Sequence, residues 1–572
     1  MEPMGRTSSK AMESAPPPRS GGAGNEGGAP ARRAGHRRRI GILFTSCVVP
    51  AASAVAALYL AGCWPLSYSE RCEDDARYCA PAGGTGGGGG TDQQPDPTCD
   101  ADPTEDPATV RDQCAVFARA GAAAGGDGTK ARPFASLSEA IEKAKGKRVL
   151  ACSVGAFSGS VTVGVAAEVI GGFDCNAGWT WSEEARSTIE GTANRAALTL
   201  AKGAAGAKLR SLKIVAADAT EPGESSIGVA ADDVEAELAR VDVVAGNGMD
   251  GAPGEAPAAA AADGASAPND VSNACVGTVY GGLPGVTACE DGETSGGVGG
   301  LGGKPDTDDG NGQKGQDGTP LPENPEGSGL GGAGQLVSQS NCARGQDGAL
   351  GAPGDPGEPG TDTALTLAGP TGGDGKRGTS GTRGQGGGGG GGAKAGQFCA
   401  AGGGTFADGV GASGGGGGAG GCGGKAGTGG KAGGSSIGIL SLGTKLVLTD
   451  VTVTVGKAGN GGVGGDGSPG GLGGMGSNGG TRVAVSGSIQ GCAGGMGGTG
   501  GDGGPGGGSR GGHAVAIAYA TTPSRVPAVS VAEGTAGAGG LAGRGGPDTS
   551  NGAPGISGAC WDFGANQACP QQ

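Results

Sequence analysis

The stretch Ser225-Ser-Ile-Gly-Val-Ala-Ala-Asp-Asp-Val-Glu-Ala-Glu-Leu-Ala-Arg-Val-Asp-Val-Val-Ala-Gly246 returns without a gap as Ser435-Ser-Ile-Gly-Ile-Leu-Ser-Leu-Gly-Thr-Lys-Leu-Val-Leu-Thr-Asp-Val-Thr-Val-Thr-Val-Gly456, identical at 8 of 22 positions. Each copy holds two short runs of alternating apolar residues, and a period of two marks half-buried strands. The frame recurs on either side. Leu198-Thr-Leu200 leads to Leu209-Arg-Ser-Leu212-Lys-Ile214, 29 residues upstream of the first copy, and Val515-Ala-Ile517 leads to Val526-Pro-Ala-Val529-Ser-Val531, 78 downstream of the second. No unit this short buries its own apolar face, so such repeats stack as a solenoid. The expected fold is mainly β: a parallel β-helix of coils of about 29 residues, with Leu212/Ile214, Val241/Val243, Val451/Val453 and Val529/Val531 facing inward.

The irregular spacings then become insertions from one corner of the coil, roughly 247–434 and 457–512, with a further glycine-rich stretch at 535–559. Glycine makes up 139 of the 572 residues, and it keeps a period of three through 461, 464, 467, 470, 473, 476 and 479 and again through 491 to 506. Such a period suits an extended threefold helix with one crowded side. The insertions are therefore expected to be polyglycine-II-like or disordered. Only 3 % of residues are aromatic and 35 % hydrophobic, too few for a conventional core along the whole chain.

The N-terminal end reads as an export signal. Arg32, Arg33, Arg37, Arg38 and Arg39 precede an apolar run from Ile40 to Leu60. That run is long enough to span a bilayer, but Pro50 and its many alanines make it a poor permanent helix. Leu60-Ala61-Gly62-Cys63 resembles the bacterial lipobox, which implies cleavage before Cys63, a diacylglycerol on its thiol and, with Trp64 following, an outer-membrane location in the cell envelope. Met12 is an alternative initiator.

Removing residues 1–62 leaves 32 basic and 52 acidic residues, a net charge of −20, which disfavours nucleic acid as a partner. Residues 63–112 read as a disordered, acidic, Pro- and Gly-containing tether. The expected plan continues with the β-helix start at 113–246, an insertion at 247–434, a coil at 435–456, an insertion at 457–512, a last coil at 513–534 and a tail at 535–572.

Ser136-Leu-Ser-Glu139 fits a capping box for a helix with Leu137, Ala140, Ile141 and Ala144 on one face, ended by Gly146. The run from Gly126 to Ile141, with Cys152 and Gly171-Gly-Phe-Asp-Cys175, resembles the opening of bacterial right-handed β-helix proteins of the pectin-lyase type. That resemblance implies an N-terminal capping helix and is nearly silent about activity. The Gly-Gly-x style resembles the PE-PGRS proteins, whose glycine segments are thought to pack as polyglycine-II helices; the helical domain of that family is missing here.

Excluding Cys47 and Cys63, 14 cysteines remain, and an exported protein keeps disulfides. Cys72 with Cys79 and Cys99 with Cys114 are candidate local bridges. The gap between Cys152 and Cys175 is near one coil, and Cys560 with Cys569 forms a terminal pair. The first insertion carries an odd five (Cys275, Cys289, Cys342, Cys399 and Cys422), so one is expected to reach Cys492 in the second.

Catalytic signatures are weak. Asp242 and Asp450 are placed outward on neighbouring coils about 8 Å apart, the spacing of an inverting glycosidase pair. Lys213 and Arg240 stack in their columns, so ion pairs are the expected explanation. Trp179 and Trp181 could stack on a sugar but read as packing residues. The calcium-like Gly461–Asp466, Gly497–Asp502 and Asp306–Gly310 all lack a required ligand or flanking residue, and no metal or cofactor is expected. The chain reads as a non-enzymatic surface lipoprotein that displays a glycine-rich face, with membrane contact through the lipid and cell-surface polysaccharide or matrix as partner. A carbohydrate-binding or polysaccharide-degrading β-helix is the alternative.

Overall fold

A computed structural model describes residues 99–570 except 322–326, 337–340 and 362. Cys63, Cys72, Cys79 and the export signal lie outside the described residues. The chain is mainly β, with its strands gathered in two large sheets.

In the first sheet Ala115–Ala118, Arg148–Cys152, Glu168–Asp174, Ala207–Val215, Ala236–Val244, Leu446–Thr454 and Ser530–Ala532 lie side by side, each parallel to the next. The second runs through Val161–Val163, Leu198–Leu200, Ser226–Ala231, Ser436–Ser441, Ala514–Tyr519 and Ser557–Asp562, also parallel, and closes with the antiparallel Gln567–Ala568. The register is that of the sequence repeat: Leu212 opposes Val241 and Val241 opposes Val451, while Ile227 opposes Ile437 and Ile437 opposes Val515. Leu212, Ile214, Val241, Val243, Val451 and Val453 are all 3 % exposed or less and join one apolar core. Val529 and Val531 pack against it only in part. The region expected to be the last coil is followed by one more strand, Ser557–Asp562.

Helix Leu137–Lys143 caps one end of this core. Ser136 Oγ accepts the Glu139 amide at 3.3 Å, and Leu137, Ala140 and Ile141 are buried. The tether ends earlier than expected. From Cys99 onward it is folded, with Thr109 and Val110 buried and Cys99 bridged to Cys114. Cys152 and Cys175 join adjacent strands, and Cys560 joins Cys569.

The glycine insertions are ordered, contrary to the disordered alternative. They form extended segments bonded sideways through every third amide. The amides of Gly462, Gly465, Ser468, Gly471, Gly474, Ser477 and Gly480 donate to the carbonyls of Lys431, Thr428, Lys425, Cys422, Ala419, Gly416 and Ser413 in turn. Parallel neighbours follow the same step: Gly348, Gly351, Gly354 and Gly357 donate to Met496, Thr499, Asp502 and Pro505. Three residues per turn is the period of an extended threefold helix, whose peptide groups point outward in three directions.

Seven consecutive glycines, Gly386–Gly392, occupy the centre. Their amides donate in rotation to 313–319, to 415–418 and to 343–346; their carbonyls accept from 297–300, 332–335 and 492–495. The segment thus has six neighbours, and a Cβ at any of the seven would strike a backbone carbonyl. Where one side faces solvent, only two residues of each triplet must be glycine; at the rim, one suffices. The bridges Cys275–Cys399, Cys289–Cys422 and Cys342–Cys492 staple the array across separations of 124, 133 and 150 residues. In the chain-entropy picture each restrains the unfolded chain by about 5 kcal/mol. That offsets part of the large conformational entropy that glycine loses on ordering.

Candidate functional site

The outer face of the first sheet carries the two acids singled out above. Ser211, Arg240 and Asp450 occupy equivalent places on three paired strands and share left-handed φ values of 56°, 52° and 51°. This stacked kink inserts one residue into the alternation, so Leu238 and Val241 are both buried with two residues between them. The regular two-residue offset behind the expected 8 Å spacing therefore does not hold.

The expected ion pairs do not form either. Asp242 Oδ2 is 3.8 Å from Arg186 Nε, and its Oδ1 accepts Thr452 Oγ1 at 2.7 Å. Arg240 lies 3.9 Å from Glu183 and stacks over Trp181, 4.7 Å from the ring centre. The physical reason is the loop after Trp181, which lays Glu183 and Arg186 over the sheet where they compete with Asp450 and Lys213. Such exposed pairs contribute about 0–1 kcal/mol each. Trp179 is 6 % exposed and packs edge-on against Phe117 at 4.7 Å, a core role. The Trp181 ring is covered by the Arg240 guanidinium, so it offers that face to no ligand.

A polar cluster fastens the segment after Cys99. Glu168 bridges Arg148 at 2.7 Å and Arg210 at 3.1 Å, while Arg210 also binds Asp102 at 2.7 Å. Arg148 Nη1 donates to the Cys99 carbonyl at 2.8 Å. Burial works to raise the Asp102 carboxyl, but hydrogen bonds from Arg210 and Thr104 outweigh it and hold the pKa at about 2. His513 is 2 % exposed, and its Nδ1 accepts the Ile556 amide at 3.1 Å. Burial, with Arg510 nearby, pushes its pKa down to about 3, so it stays neutral. Burial alone pushes Tyr519 up to about 12.

The aspartates of the glycine region have a role that composition does not announce. Asp250 accepts the Asn460 amide, Asp263 that of Leu472, Asp347 that of Met496, Asp466 that of Arg544 and Asp502 that of Gly470, all between 2.6 and 2.9 Å. Asn247, Asn273 and Asn460 do the same. At the rim of the array some amides point away from any neighbouring backbone, and a short side chain on the next segment supplies the acceptor. Thus the calcium-like Asp466 and Asp502 serve as backbone caps. Asp308 and Asp309 sit in an exposed turn with φ of 52° each. Among the described residues no three His, Cys, Asp or Glu side chains group as a metal site, and no helix is long and apolar enough to cross a membrane.

Sequence reasoning missed the kink and the caps. The signal for the caps was present, since Asp and Asn recur in the free slot of glycine triplets at 247, 250, 460, 466 and 502. No family model, curated protein or solved structure matches this chain.

Proposed function

We propose that the chain is a non-enzymatic, lipid-anchored surface protein in which a right-handed parallel β-helix carries a slab of polyglycine-II type. The two parallel sheets support the scaffold, because each pass of the chain adds one strand to each sheet at the 29-, 210- and 78-residue steps of the repeat. One observation carries the display role. The interior of the slab spends its backbone groups on neighbouring segments, while side chains such as Leu472, Met475, Leu541 and Leu350 stand 62 to 75 % exposed along its edges. A surface of this kind presents fixed rows of side chains and needs no moving part.

The lipobox at Cys63 supports an outer-membrane anchor, and the net charge of −20 on the mature chain supports a hydrated exterior facing polysaccharide or matrix. The full mature chain on a glycan array, followed by analysis of any bound polysaccharide, tests this. Retention of intact polysaccharide is the expected result. Release of reducing ends or unsaturated sugars would establish the lyase or hydrolase alternative instead.

A further inference from the structure

Five Asn-Gly pairs occur in the chain, at 247–248, 311–312, 460–461, 478–479 and 551–552, and all five lie among the described residues. An Asn-Gly pair is open to attack of the glycine nitrogen on the asparagine side chain, because glycine sets no Cβ beside the nucleophile. Whether a given pair reacts then depends on how its peptide unit is held. In an extended threefold helix ψ is about 145°, and the glycine nitrogen must swing by roughly a quarter turn to reach the asparagine Cγ. Every hydrogen bond on that peptide unit has to open first.

Four of the pairs are held. The Gly248 amide donates to the Lys457 carbonyl while the Asn247 carbonyl accepts from Ala219, and the Gly461 amide donates to Ala538 while the Asn460 carbonyl accepts from Gly251. The Gly312 amide donates to Gln335 and the Gly552 amide to Gly540. Three of the side chains are held as well: Asn247 Oδ1 accepts the Lys457 amide at 2.8 Å, Asn460 Oδ1 the Ala538 amide at 3.0 Å and Asn551 Oδ1 the Ala542 amide at 2.8 Å.

The pair at 478–479 differs. Neither the Asn478 carbonyl nor the Gly479 amide has a hydrogen-bond partner among the described residues, although Ser477 and Gly480 on either side donate to Gly416 and Ser413 at 2.8 Å. Asn478 is exposed, and its side chain makes no hydrogen bond among the described residues. The peptide unit can therefore turn between its anchored neighbours without losing a bond. Earlier in the same row of amides, Gly461, Gly464 and Gly470 reach Ala538, Leu541 and the Asp502 carboxylate. At 479 the row has run past its last partner.

We propose that Asn478 is a site of self-modification, converted to aspartate and isoaspartate through a cyclic imide formed with Gly479. The Gly479 amide gives its proton to solvent hydroxide, and its nitrogen bonds to Asn478 Cγ. The Cγ–Nδ2 bond breaks, and Nδ2 takes a proton from water and leaves as ammonia. Water then opens the five-membered imide. Opening at Cγ leaves aspartate in the normal chain. Opening at the backbone carbonyl carbon routes the chain through the side chain and adds one methylene to the backbone. Either product puts one more negative charge on the slab edge. Isoaspartate also disturbs the three-residue step between Ser477 and Gly480, which loosens the bonds from Gly480 to Ser413 and from Gly491 to Gly480. This chemistry depends on the slab geometry and not on the surface-display reading.

Peptide mass spectrometry of the full mature chain, kept folded in mildly alkaline buffer, reads the conversion at each asparagine. Each hydrogen bond that must open slows its pair by about 10-fold, so Asn478 should convert at least about 10-fold faster than Asn311 and Asn551 and about 100-fold faster than Asn247 and Asn460. In urea with the disulfides reduced, all five should convert at similar rates. The exposed replacement Asn478→Gln should remove the first acidic form seen on isoelectric focusing. Amide exchange at Gly480 and Gly491 should rise as the unaltered chain ages and stay constant in the variant. Conversion of any other Asn-Gly pair as fast as Asn478 in the folded chain overturns the proposal. So does an Asn478 that converts in urea but stays intact in the folded chain, or an acidic form that appears at the same rate in Asn478→Gln.

Discussion

Gly389→Ala asks whether the glycine slab is a lattice or a loop, because the two give opposite signs. In a flexible loop, alanine for glycine restricts the unfolded chain and stabilises by about 0.4–1 kcal/mol. Gly389 has no positive φ, so its backbone would accept alanine without strain. In the lattice, the new Cβ falls more than about 1 Å inside ordinary contact with the Val298 carbonyl oxygen. Segment 297–303 must retreat, and with it go the bonds from Gly297 to Gly387 and from Gly300 to Gly390, each 2.8 Å. Two buried amides and two carbonyls lose their partners. At about 1–3 kcal/mol for each of the two lost bonds, the variant should be destabilised by roughly 1–5 kcal/mol after the unfolded-state gain. Urea unfolding followed by circular dichroism measures this, and hydrogen exchange locates it at the amides of 386–392. Gly277→Ala is the control, since nothing lies within 4 Å of its Cβ position, and it should shift stability by under about 0.5 kcal/mol. Unchanged or raised stability in Gly389→Ala would refute the six-neighbour packing.

Further outcomes follow from the charged and bridged groups. His513 titrates at 6.5 when unfolded and at about 3 when folded, so the unfolded chain alone takes up the proton between those values. Stability is then full above pH 6.5 and falls toward pH 3 by up to roughly 5 kcal/mol; His513→Gln should flatten that slope in pH-dependent unfolding. Asp102 has the depressed carboxylate pattern, its contribution present above pH 3.8 and lost as the pH falls toward 2. With solvent screening at this partly exposed group, Asp102→Asn should cost about 1 kcal/mol and speed hydrogen exchange at 99–112. Replacing Cys342 and Cys492 together by serine should accelerate exchange in 343–360 and 491–508 and leave the strands of the two large sheets protected. Protection lost equally throughout would mean that slab and sheets unfold as one unit.

Much of this architecture was legible in the chain. Strand pairing came from an ungapped alignment, because parallel strands that stack in register must repeat their apolar positions, and Val241 over Leu212 and under Val451 is that repeat made physical. The helix start was legible because Ser136 and Glu139 carry a local capping signal. Places where distant loops decide the outcome were not legible. Arg186 and Glu183 reach Asp242 and Arg240 across a fold that no local pattern encodes. The kink at Ser211, Arg240 and Asp450 has no residue type in common, so only the backbone shows it. The order of the insertions was ambiguous because glycine is both the most flexible residue and the only one that fits a crowded threefold lattice. The length of a glycine run resolves that ambiguity, since Gly386–Gly392 marks a segment enclosed on all sides.

The sideways bonding through every third amide has a consequence for how such a chain can vary. Each residue turns the threefold helix by a third of a revolution. Adding or deleting one residue within 459–480 would rotate every later glycine away from its crowded side and set a side chain there. Adding three would leave all contacts in place and lengthen the segment by one step. The slab therefore has a reading frame. Length changes in its segments are tolerated in triplets, and a single-residue slip acts on the folded array much as a frameshift acts on a message.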